Sequence, residues 1–312
     1  MNSRVKSECT PHGPEIMEPA AMKEQLKRRA AAVERWLATC LDGREMPPRL
    51  RESMLYSLQA GGKRLRPVLC LTCAALCGLE EERVMPFAGA IEMIHTYSLI
   101  HDDLPAMDDD DLRRGKPSNH KAFDEATAIL AGDGLLTDAF ACMCRARIPA
   151  GPLLAAIAEL AGAAGSSGMV GGQEWDMIHT ARPSVSLEEL QTMHAMKTGA
   201  LLRASCVCGA LLAGADSAVV DTIGEYGSAL GMAFQIADDI LDVTADTAVL
   251  GKPAGSDAAQ GKNTYPSMVG LATSRELAQA QAARARAALA ALVGPEAAFL
   301  RALADYTVSR AC

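Results

Sequence analysis

Aromatic side chains are scarce in this sequence: two Trp, five Tyr and five Phe make up 4% of 312 residues. An all-β core draws on alternating Val, Ile, Thr and aromatic residues, and no segment shows that alternation, so a sandwich or barrel is excluded. No Gly/Ser linker and no internal repeat divides the chain. No apolar run approaches the roughly 18 residues of a membrane span. Positive charge is not in excess either. The formal net charge is −8, so the surface as a whole does not attract nucleic acid or an anionic membrane. An anionic ligand must then be held by local cations or by metal. Residues 1–18 contain Pro11, Pro14, Glu8 and Glu15 but no apolar stretch of a secretory signal. Residues 1–20 are expected to form a disordered tail ahead of one helical domain over residues 21–312.

What the sequence does have is Ala and Leu throughout, with 49% hydrophobic and 22% charged residues. That is the balance of a globular protein with much apolar surface to bury. Apolar residues recur at helical spacing over residues 22–41, 48–58 and 67–78, with Gly43 and Gly61-Gly62 as stops. Pro86 is expected to open a long helix that runs into an acid-rich segment and is interrupted at Pro105. Further helices are expected over residues 124–144, 153–164, 187–213, 219–243, 276–292 and 296–309, with no strand worth defending. The fold class is all-α. Of ten cysteines, Cys70, Cys73 and Cys77 stand at helical spacing, and Cys142, Cys144, Cys206 and Cys208 are also in apolar surroundings. A zinc site draws on turn residues and nearby histidines, which are missing here. Reduced core thiols in a cytoplasmic protein are expected.

The strongest local signal is HDDLPAMDDDDLRRG, residues 101–115, with six aspartates in ten residues. Like charges this close repel and raise one another's pKa. Divalent cations resolve the conflict, and Mg²⁺ in particular combines a few carboxylates with substrate phosphate oxygens. A second cluster, Asp238, Asp239 and Asp242, lies in FQIADDILDV. There Asp238 and Asp242 stand at i and i+4 on one helix face, among apolar neighbours unlike those of a solvated acid run. An exposed acidic loop or a Ca²⁺ site explains the first cluster alone but not the pair, and the Gly and Glu positions of an EF-hand are missing. Cations complete the pattern: Lys63, Arg64 and Arg66 beside Gly61-Gly62, then Arg113, Arg114, Lys197, Lys252 and Lys262. GGKRLRP lacks the order of a P-loop, so nucleotide binding is not implied.

Seven ordered motifs carry a family resemblance: GGKRLRP, IHTYSLIHDDLPAMDDDDLRRGKPSNH, AILAGDGLLT, GGQEWD, KTGALLRA, FQIADDILDVTADTAVLGKPAGSD and GKNTYP. From about Leu26 to Arg310 the chain resembles the trans-isoprenyl diphosphate synthases, in particular those of bacterial farnesyl diphosphate type. The resemblance implies about a dozen helices around a central cavity, usually in a homodimer. It implies that Asp102, Asp103 and Asp108 of the first motif and Asp238, Asp239 and Asp242 of the second hold about three Mg²⁺ ions on an allylic diphosphate. Arg113, Lys197, Thr198, Gln235, Lys252 and Lys262 match allylic-site positions. Lys63, Arg66, His95 and Arg114 match those that hold isopentenyl diphosphate. The implied reaction is head-to-tail condensation of dimethylallyl or geranyl diphosphate with isopentenyl diphosphate. An aromatic five residues before Asp102, here Tyr97 followed by Ser98, implies a stop at C15. The family's basic closing residues at the C-terminus are represented by Arg310.

Other readings are weaker. A geranylgeranyl or geranyl diphosphate synthase differs only in product length. A class I terpene cyclase keeps the first acidic motif but carries an Asn/Ser/Glu-type motif where Asp238-Asp239-Ile240-Leu241-Asp242 stands. A head-to-head synthase shows different Asp motifs. A His-Asp phosphohydrolase needs a second histidine pair, which His12, His95, His120, His179 and His194 do not form. An inactive regulatory subunit normally loses the Asp-rich motifs, and both are present here.

Overall fold

The structure is a computed structural model that describes residues 16–180, 182, 184–244 and 261–310. Its helices are α1 (Pro19–Leu37), α2 (Pro48–Leu58), α3 (Leu65–Leu76), α4 (Glu81–Asp102), α5 (Asn119–Ala122), α6 (Glu125–Met143), α7 (Ala150–Ala164) and α8 (Met169–Thr180). These are followed by α9 (Leu187–His194), a π-helical turn (Ala195–Gly199), α10 (Ala200–Leu212), α11 (Ser217–Thr244), α12 (Tyr265–Val269), α13 (Leu271–Ala288) and α14 (Pro295–Ser309). The all-α expectation holds. The expected tail falls outside the described residues as far as residue 15, and Lys252 lies outside them too.

Local chemistry explains where several helices start. Proline at the first helical position, which has no intrahelical N–H bond to lose, opens α1, α2 and α14. Asp124 caps α6 by accepting from the Thr127 amide at 2.7 Å. Ser186 and Glu189 form a reciprocal capping box on α9.

Four expectations need correction. Pro86 does not open its helix; α4 begins at Glu81 and carries the proline inside. Acidic Glu81 and Glu82 in the first turn, where the helix dipole favours them, mark the true start. The chain is not wholly without strands, because Leu112–Arg113 pairs with Lys116–Pro117 in a two-residue antiparallel hairpin. Cys144, expected in the core, is exposed, although the eight described cysteines are all free thiols and six are buried. Finally, Glu125–Met143, Ala150–Thr180 and Leu187–Leu212 are long and apolar enough, by length and composition, to cross a membrane. Isolated charged residues, such as Asp133, Glu159 and Lys197, interrupt the apolar runs, but Ala, Gly and Leu keep the average high.

α10 sits at the centre, packed by α3, α7 and α11, while α4 lies along α6 and α11 along α13. One core joins α1–α4, α6 and α7 around Phe87, Ile91, Ile94 and Leu135. A second joins α3, α10, α11 and α14 around Leu69, Tyr226, Phe299 and Leu303. Each large apolar side chain so buried contributes about 1.5–3 kcal/mol. Two buried arginines tie the layers together: Arg29 bridges Glu81 and Glu296, and Arg64 bridges Glu34 and Glu92. The result places the C-terminal ends of α4 and α11, with their acidic motifs, on one cavity.

Candidate active site

That cavity, about 680 Å³, is lined by Asp102 and Asp108 from the first motif and Asp238 and Asp239 from the second. Lys63, Arg113, Lys197, Gln235, Lys262 and Arg310 line the same space. Sequence elements separated by more than a hundred residues thus line one space. Asp103 and Asp242 are set back, both buried at 2% exposure. Arg113 takes both Asp103 oxygens, with Nε at 3.0 and 3.2 Å, and its Nη2 also bonds to Oδ1.

Several of the acids are already paired with cationic side chains. Lys197 Nζ is 2.5 Å from Asp176, and Lys262 Nζ is 3.3 Å from Asp108 and 4.0 Å from Asp176. Arg310 Nη2 bonds to Asp238 at 3.3 Å while its guanidinium lies over the Phe234 ring. This last contact brings the C-terminal helix onto the second acidic motif. Burial alone would lower Lys197, but Asp176 and Asp102 outweigh it and hold the ammonium above its ordinary value. Burial would likewise raise Asp176, yet Lys197 and Lys262 keep it below the usual range.

Lys197 and Thr198 stand on the π-helical turn, a form often found at functional sites. The turn is held by α8: a Cβ on Gly172 would fall 2.2 Å from the Lys197 amide nitrogen. Thr198 donates to Gln235 at 2.8 Å, and Gln235 donates to Asp239 Oδ1 at 2.8 Å. Asp239 Oδ2 accepts from the Tyr265 amide at 3.0 Å and lies 3.6 Å from His194 Nε2. The carboxylate is therefore fixed from both sides.

A second chamber of about 660 Å³ shares Leu99, Asp102 and Lys197 with the first. Arg66 and His95, in contact at 3.2 Å, are among its lining residues. Its walls are largely apolar, with Leu104, Met107, Ile129, Met169 and Met177. Tyr97 and Ser98 line it, and Tyr97 meets His101 edge to face at 5.7 Å. Burial, then the adjacent Arg66 and Arg114, hold His95 well below its ordinary pKa, so its ring is neutral near pH 7. Arg114 turns away, its guanidinium bonded to the Gly61 carbonyl.

Sequence reasoning passed over Asp176, Gln173, His194 and Tyr265. Gln173 lines the apolar chamber with neither amide atom partnered. The available signals were the GGQEWD and GKNTYP motifs, which contain three of the four.

Asp102 carries a measurable cost. Burial pushes it up to about 6, against the lowering effect of Lys197. A folded-state pKa above the unfolded value means that ionisation opposes folding, so stability falls as pH rises from about 4 through 6. Asp102→Asn is expected to melt about 2–4 °C above the parent, ligand-free, above pH 6. The gap should close as pH falls towards 4. Equal melting near neutral pH would contradict this.

Residues 47–292 match the family model described as polyprenyl synthetase. The chain is 48% identical over 263 residues to the farnesyl diphosphate synthase of Geobacillus stearothermophilus, covering 83% of this chain and 88% of that one. It is 45% identical over 295 residues to the chloroplastic geranylgeranyl pyrophosphate synthase of Capsicum annuum, covering 94% and 80%. The apo crystal structure of an FPP/GFPP synthase from Zymomonas mobilis superposes with a TM-score of 0.83 at 38% identity, covering 93% of this chain and all of that one.

Proposed function

The chain belongs to the polyprenyl synthetase family, a family of prenyltransferases, and on that premise we propose that it condenses isopentenyl diphosphate head to tail with dimethylallyl or geranyl diphosphate, stopping mainly at farnesyl diphosphate. The observation that carries this reading is the sharing of Leu99, Asp102 and Lys197 by an acid- and cation-lined cavity and an apolar chamber. A diphosphate fits the first and a prenyl chain the second.

The donor set fits Mg²⁺: Asp102, Asp108, Asp238 and Asp239 offer only oxygens to one cavity. Asp103 and Asp242 stand behind them. When bound, about three Mg²⁺ ions would neutralise the diphosphate and the charge it gains on leaving. Lys197, Lys262 and Arg113 add fixed positive charge, so little rearrangement is needed as the C–O bond breaks. Lys63, Arg66 and the neutral His95 hold the second diphosphate, with Arg114 swinging from Gly61. The isopentenyl double bond attacks the allylic carbon, and the departing diphosphate takes the released proton. Met, Leu and Ile side chains exclude water, which would capture the cation as an alcohol.

The proposal extends to a homodimer in the cytoplasm. Ile129 and Leu130 on α6 and Leu154 on α7 are exposed large apolar residues that pairing would cover. Buried free thiols suit a reducing compartment.

Purified protein incubated with isopentenyl and dimethylallyl diphosphates should yield farnesol after dephosphorylation, and only with Mg²⁺. Geranylgeraniol would keep the reaction and discard the length. No prenyl product, even with geranyl diphosphate as starter, would reject the reading.

A further inference from the structure

Three residues outside the set just described also converge. Carboxylate oxygens of Asp109 and Asp111 and a ring nitrogen of His120 lie within 4.8 Å of one another. Two exposed acids alone would signify little. His120, however, is only 7% exposed, and its Nε2 has no hydrogen-bond partner. Its Nδ1 is taken up by Ser118 Oγ at 3.1 Å. If Nδ1–H donates to the hydroxyl, Nε2 carries a bare lone pair, the tautomer a metal-bound imidazole adopts. Buried polar atoms are rarely left without a partner, so this one calls for a ligand.

The backbone presents the acids to this ring. Asp109 stands in the left-handed region at φ 50°, which Asp tolerates better than most residues. The Ser118 amide donates to the Asp111 carbonyl at 2.9 Å, closing the base of the hairpin. Asp111 meets one competing cation, Lys121 Nζ at 2.8 Å. Both partners are substantially exposed, so that ion pair is weak and a divalent ion can displace it.

The geometry points to a second metal site, formed by Asp109, Asp111 and His120, that takes a first-row divalent ion such as Mn²⁺ or Zn²⁺ without substrate. Imidazole together with carboxylates favours these ions over Mg²⁺, whose ligands are oxygens. The ion would brace both ends of the hairpin that carries Arg113 and Arg114, fixing the fork on Asp103. The proposal does not depend on the reaction assigned above.

The test is a Mn²⁺ titration of the full-length chain without substrate, followed by electron paramagnetic resonance, with pulsed detection of imidazole nitrogen coupled to the bound ion. Because His120 is buried, the variants are Asp109→Asn and Asp111→Asn at exposed positions; Asn also tolerates the left-handed backbone. The parent should bind a nitrogen-coupled Mn²⁺, and Asp238→Asn should keep it. Loss of even an outer-shell partner weakens metal binding by about tenfold or more, so both exposed variants should bind at least that much more weakly. Purely oxygen-coordinated Mn²⁺ in the parent would overturn the site. So would nitrogen coupling that survives both exposed variants but vanishes in Asp239→Asn, because the nitrogen would then be that of His194.

Discussion

Replacing Asp239 with Asn is expected to lower kcat by a factor on the order of 10²–10³, the usual effect of removing one preorganised electrostatic contact from a reacting centre. Asp239 Oδ1 accepts from Gln235 and Oδ2 from the Tyr265 amide, so neither oxygen can be replaced by an NH₂ group without setting one donor against another. The substitution also removes a negative charge from the cavity to which the proposal assigns the metal-bound diphosphate. Stability should fall too, by about 1–3 kcal/mol for the unsatisfied donor. Asp102→Asn makes the contrast sharp, since there the loss of charge relieves a buried ionisation and should raise the melting temperature. Steady-state turnover measured beside thermal melts separates the two effects. A folded Asp239→Asn enzyme within about tenfold of the parent kcat would show that Asp239 is dispensable to the electrostatics of this centre.

These opposite signs show what could be read from the sequence. The two Asp-rich motifs stood out by their charge density among apolar neighbours, and four of the six acids expected to hold metal line one cavity. Depth did not show. Helical periodicity gives a residue's face but not how far it is set back, so Asp103 and Asp242 were indistinguishable from the acids that reach the cavity. Arg64 looked like a partner of Lys63 and Arg66, yet its left-handed backbone turns it into the core against Glu34 and Glu92. The π-helical turn was invisible because its residues, AMKTG, are ordinary helix formers apart from the glycine. Around it the packing is tertiary: α8 lies against the Lys197 backbone over Gly172. The hairpin between the acids and α5 was missed for a related reason. It pairs only two residues on each side and follows Asp109, whose left-handed conformation has no sequence period. His120 belongs with these, since nothing in KPSNH indicates that its Nε2 is buried without a partner.

Tyr97→Ala should move the main product from C15 to C20. Tyr97 projects from α4 into the apolar chamber, 6% exposed, one helical turn before His101 and close to Asp102. On the proposed reading, a prenyl chain anchored by its diphosphate near Asp102 and Lys197, which line both cavities, would grow into this chamber. With its edge against the His101 imidazole, the ring cannot step aside freely, because His101 is itself packed on Gly132, where a Cβ would meet Nε2 at 2.1 Å. The obstruction is therefore a braced pair of rings. Truncation to Ala removes the ring and phenol, leaving an apolar cavity for another isoprene unit. The loss of a buried aromatic should cost about 3–5 kcal/mol, which the substrate chain partly restores by filling the space. The expected signature is a C20 alcohol as the main dephosphorylated product, with the rate of the first condensation little changed. The proposal assigns that first step to Asp102, Lys197 and the cations around them, none of which the substitution removes. A folded, active Tyr97→Ala enzyme that still stops at C15 would place the length limit deeper, among Met169, Met177 and Ile129 at the chamber wall.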